Sequence, residues 1–110
     1  MRYALLAYGS ERTAPGPMDP AIARVLDRPE VTGWARLHGD GSATTVRHGE
    51  QRPLLIDGPF IETKEFLAGL IFVEAANLDE ALAIAQELQE TRSMGAIEVR
   101  PVLEADLSGA

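Results

Sequence analysis

Two hydrophobic periods run through the chain, and the points where they change outline its elements. Residues 1–8 alternate, with Tyr3, Leu5 and Ala7 on one face and Arg2, Ala4, Leu6 and Tyr8 on the other. Both faces are mostly apolar, as in an interior strand. Gly9-Ser10 stops this run, and residues 11–20, rich in Pro, Gly and small side chains, read as a loop. Asp19-Pro20 then has the form of a helix start, an acidic cap followed by Pro at the first helical position. Ile22, Val25 and Leu26 make one apolar stripe, and Pro29 ends the helix by Arg28.

Residues 31–38, which include Val31, Gly33 and Trp34, fit either period. The glycines around Asp40 favour an extended piece ending in a turn. Thr44, Thr45 and Val46 are β-branched, so residues 43–48 read as a strand. Residues 52–57 return from it as a hairpin, with Pro53 suited to an edge. The longest apolar run, residues 66–76, is the expected central strand. Asn77-Leu78-Asp79-Glu80 has the capping-box pattern, and Leu78, Ala81, Leu82, Ala85 and Leu88 follow at helical spacing to about Glu90. Residues 96–103 form a last strand, with Ile97, Val99 and Leu103 on one face and Glu98 and Arg100 on the other. Residues 1–104 make one domain and 105–110 a tail.

The order strand, helix, hairpin, strand, helix, strand predicts an α+β fold of ferredoxin-like type. It has an antiparallel sheet with two helices on one face. Helices cover only one side of such a sheet, yet residues 1–8 and 66–76 are apolar on both. A second copy packed on the open side is the simplest cover, so we expect a homodimer with its sheets face to face.

Composition narrows the chemistry. The 110 residues carry 10 basic and 17 acidic side chains, a net charge of −7, which disfavours a nucleic-acid surface. With no cysteine there is no disulfide, thiolate metal site or cysteine nucleophile. No apolar run approaches the roughly 20 residues that span a bilayer, and the run in MRYALLAYGS is too short and strand-like for a signal peptide. We expect a soluble, cytoplasmic protein with no membrane partner. No Gly-rich phosphate loop, G-x-S-x-G elbow or metal-spaced histidine pair occurs. Neither a metal nor a cofactor is expected.

Asp57-Gly58-Pro59-Phe60, followed by Glu62-Thr63-Lys64-Glu65, resembles the YCII-related family, in particular its DGPF branch. Ala43-Thr44-Thr45-Val46-Arg47, Gly69, the Asn77–Glu80 helix start and Glu98-Val99-Arg100-Pro101 support the match. The resemblance implies a dimeric α+β barrel built from ferredoxin-like subunits. It gives less about function. Most DGPF proteins have no established activity. Some have a genetic link to extracytoplasmic-function sigma factors, and relatives of the broader fold include dehydrochlorinases and lactone isomerases. The YCII branch is proposed to use a His–Asp pair with its His on the first helix, where this chain has none.

The residues offer few chemical groups. Asp57 is either an acid–base carboxylate beside a cleft or a turn residue accepting backbone N–H groups. Histidine is the side chain whose ordinary pKa lies nearest neutrality, and the chain has two, His38 and His48. His38 is the candidate to stand in for the missing helical His, whereas His48 reads as a hairpin-tip residue. Lys64, a cation among acids, can anchor an anionic ligand, with Glu62 beside it at a pocket rim. Tyr8, Trp34 and Phe60 either line a pocket for an aromatic ligand or belong to the core or dimer interface. Three functions are therefore expected. The first is small-molecule binding or regulation, with a sigma factor as a candidate partner. The second is cofactor-free acid–base catalysis through Asp57 on a small cyclic or aromatic substrate. The third is an interaction module with no ligand.

Overall fold

A computed structural model describes residues 1–9, 16–61 and 64–107, and for Asp40 the backbone alone. Glu62, Thr63, Ser10 and the first part of the expected loop, residues 11–15, lie outside the described residues, as does the end of the tail.

Alternating apolar residues form the first strand, β1 (Arg2–Gly9). Helix α1 (Pro20–Leu26) starts as expected: the Asp19 carboxylate accepts from the Ala21 N–H at 2.8 Å, with Pro20 in the first turn. Strand β2 (Val31–Arg36) follows, then a 3-10 turn at Asp40–Ser42. The hairpin is β3 (Thr44–Arg47) and β4 (Leu54–Asp57). Strand β5 (Phe66–Glu74), helix α2 (Leu78–Glu90) and strand β6 (Ala96–Pro101) complete the order.

The main sheet has the antiparallel order β2-β5-β1-β6, with β5 and β1 central. Tyr3, Leu5, Ile71 and Val73 turn one face toward Val25 and Leu26 of α1 and Ala81, Ile84, Ala85 and Leu88 of α2. Leu5 and Val73 are fully buried there. Both helices thus cover one side, and the fold is α+β of ferredoxin-like type.

The structure corrects two details of the expected order. The second sheet strand is β2, at the ambiguous residues 31–38, and not the hairpin, which pairs only with itself as a separate two-stranded sheet. An irregularity between Val31 and Gly33 breaks the alternation of β2, and its register comes from β5 across the ladder. Leu103 does not share the inward face of Ile97 and Val99. The last strand stops at Pro101, and Leu103 is almost wholly exposed.

Candidate functional site

Two loops and the hairpin make the site. Gly58, directly after β4, has φ of 97°, a left-handed conformation that glycine adopts without strain. Its N–H donates to the Ala43 carbonyl at 2.8 Å, and its own carbonyl accepts from the Thr45 hydroxyl at 2.7 Å. These bonds tie Pro59 and Phe60 to the base of the hairpin. The Arg47 guanidinium lies over the Phe60 ring, 5.2 Å from its centre. On the other side, the Leu37 N–H donates to the Ala68 carbonyl at 2.9 Å, which holds the chain leading to His38 beside β5.

Between these segments and the end of β1 lies an open cleft of about 1230 Å³. Tyr8, His38, Phe60 and Lys64 line it, with Leu37 and Ile61 adding apolar wall. Neither α1 nor α2 contributes to the described lining. The Tyr8 hydroxyl donates to a Glu98 carboxylate oxygen at 3.4 Å, which fixes its direction at the rim. The cleft therefore offers an apolar body with an imidazole, an ammonium and a phenol along it. Such a set has the chemistry to hold a small molecule that carries a polar or anionic end.

The other sequence candidates fall elsewhere. Asp57 ends β4 opposite Thr44, is exposed, and is absent from the cleft lining. Among the described residues, none donates a hydrogen bond to its carboxylate. Trp34 lies on β2 and lines a different, smaller cavity on the helix side of the sheet. Glu62 lies outside the described residues. His48 is exposed beyond the end of β3. The described His, Asp and Glu residues form no cluster able to hold a metal ion.

Sequence reasoning missed two arginines of the smaller cavity, Arg36 and Arg92. Arg92 is half-buried, and its guanidinium donates to the carbonyls of Tyr8 at 2.5 Å and Ala96 at 3.3 Å and to Gln89 Oε1 at 3.1 Å. Burial holds its pKa below the ordinary arginine value. The only local signal for it was an arginine in a short connector before Gly95, whose φ is 84°. A Cβ at Gly95 would meet the Tyr8 carbonyl oxygen at 2.1 Å, so the connector passes directly against β1.

Comparison with known proteins places the whole arrangement in a family. The YCII-related domain matches residues 1–106. An uncharacterized protein of Rhizobium meliloti (strain 1021) is 45% identical over 114 residues, covering 93% of this chain and 92% of its own length.

Proposed function

The chain belongs to the YCII-related family, and from that premise we propose that it is a dimeric small-molecule-binding protein whose ligand occupies the cleft of Tyr8, His38, Phe60 and Lys64. One observation carries this reading. Four side chains picked out on chemical grounds, from three segments of the chain, line a single cavity. The ligand has an apolar, ring-sized body with an acidic or hydroxyl end, directed toward Lys64 and His38.

The dimer rests on two surfaces. On the side of the sheet away from the helices, Ala4, Leu6, Leu70 and Phe72 are adjacent in register and only half-buried. The hairpin exposes Val46 by 65%, Leu54 by 50% and Leu55 by 75%. An isolated two-stranded sheet is marginal in water without a partner surface. A second copy over this side covers both surfaces and adds a wall to the cleft. The Asp57-Gly58-Pro59-Phe60 turn supports placement in the DGPF branch. A regulatory setting, in which ligand occupancy is passed to an extracytoplasmic-function sigma factor in the cytoplasm, is part of the same proposal. Purification of the full chain from its host with no such factor would count against that part.

A second reading, a cofactor-free acid–base enzyme, is favoured by His38 and Lys64 sharing a cavity. Asp57 lies off the lining, so in that reading the proton-transfer role passes to His38.

The test is a panel of small cyclic and aromatic acids, phenols and lactones titrated into isotope-labelled protein. Amide shifts concentrated at Tyr8, His38, Phe60 and Lys64 support the cleft. A panel that moves none of these amides, or moves others only, sinks it.

A further inference from the structure

The smaller cavity is a separate feature on the other side of the sheet. It holds about 290 Å³ between β1, β2 and β5 and the two helices. Ile22 and Leu26 of α1 and Leu88 of α2 give it apolar walls, and Trp34 and Arg36 enter from the edge strand. Arg92 enters from the connector after α2.

Charge is what sets this cavity apart. The chain is acidic, with a net charge of −7. Yet among the described residues no carboxylate pairs with Arg36 or Arg92. Arg92 spends its hydrogen bonds on neutral oxygens, and Arg36 donates to the Gly16 carbonyl at 2.8 Å. Asp19, the one acid among the described lining residues, is the cap of α1 and accepts from the Ala21 N–H. Arg92 is half-buried and Arg36 exposed, and a bound anion offsets the cost of burying a cation that no described carboxylate pairs. A planar guanidinium matches a carboxylate, and an indole face matches a ring. The volume lies at the lower end of the roughly 300–1,000 Å³ of small-molecule pockets, so the occupant is small.

We propose that this cavity binds a small aromatic carboxylate, its carboxylate facing Arg36 and Arg92 and its ring against Trp34 and Leu88. This site is independent of the cleft and does not rest on the reading of the cleft.

Trp34 is the single tryptophan, so its emission reports on the cavity directly. Full-length protein is titrated with benzoate and with neutral benzamide. The expected result is a saturable change with benzoate and binding of benzamide weaker by about tenfold. Arg36→Gln weakens benzoate binding by about fivefold or more, and Arg36→Lys recovers part of it. Arg92→Gln abolishes binding. Because Arg92 also holds two backbone carbonyls, circular dichroism checks the fold of that variant, and Arg36→Gln carries the decision if it fails. The proposal is overturned by no saturable response in the parent protein, by equal affinity for benzamide, or by unchanged affinity in Arg36→Gln. A response lost in Lys64→Gln but kept in Arg36→Gln assigns the anion to the cleft and also overturns it.

Discussion

Single residues differ widely in how far their role could be read in advance. Tyr8, His38, Phe60 and Lys64 were legible as chemical groups because each is an unusual residue in its stretch. Their meeting on one cleft was not legible, since it depends on how loops from distant parts of the chain fold together. Asp57 shows the converse. Its motif is specific, but Asp57 ends β4 opposite Thr44 and is not among the residues that line the cleft. Arg92 carried almost no signal, because a half-buried arginine and a solvated one look alike in sequence. Lys64→Gln is expected to weaken the best cleft ligand by roughly fivefold to tenfold, as the loss of one partly exposed charged hydrogen bond would, measured by calorimetric titration. Gly95→Ala is expected to lower stability by more than about 1 kcal/mol, because alanine disfavours the positive φ and its Cβ strikes the Tyr8 carbonyl. Urea unfolding reads that loss. Leu5→Ala, at a position with no solvent exposure, is expected to cost about 2–5 kcal/mol by the same method.

Among the elements, legibility followed local pattern. Helix α2 was clear from its spacing and its cap, and the Asn77 side chain accepts from the Glu80 N–H at 3.0 Å as the capping box requires. The return bond is displaced by one residue: the Glu80 carboxylate accepts from the Ala76 N–H at 2.8 Å instead of from the Asn77 N–H. Asn77→Ala is expected to cost about 1 kcal/mol in thermal or urea unfolding. Strand β2 was ambiguous because its own residues do not alternate cleanly. Its place at the sheet edge is set by pairing with β5, a long-range relation that no local window contains. The hairpin was recognised as a hairpin, but its separation from the main sheet was not. Val46 of β3 and Leu54, Leu55 and Ile56 of β4 are apolar yet exposed, and a pattern of apolar residues does not say which surface will cover them.

For the whole molecule, the two-sided apolar character of β1 and β5 is the feature that sequence and structure share most fully. One side is the core beneath α1 and α2. The other side carries Leu6, Leu70 and Phe72 with neither α1 nor α2 over it, beside a hairpin with exposed aliphatic residues and a cleft whose described lining includes neither helix. Covering that side with a second copy accounts for all three features at once. Phe72→Glu is expected to prevent this association while leaving the helical circular dichroism unchanged, because the half-buried position would be fully covered only in the dimer. The most direct measurement is the mass of the unmodified chain in solution by light scattering at micromolar concentration. A dimer, about twice the 11.9 kDa of one chain, is the predicted result. A monomer at that concentration would contradict the covered sheet and with it the cleft as a site shared between two copies.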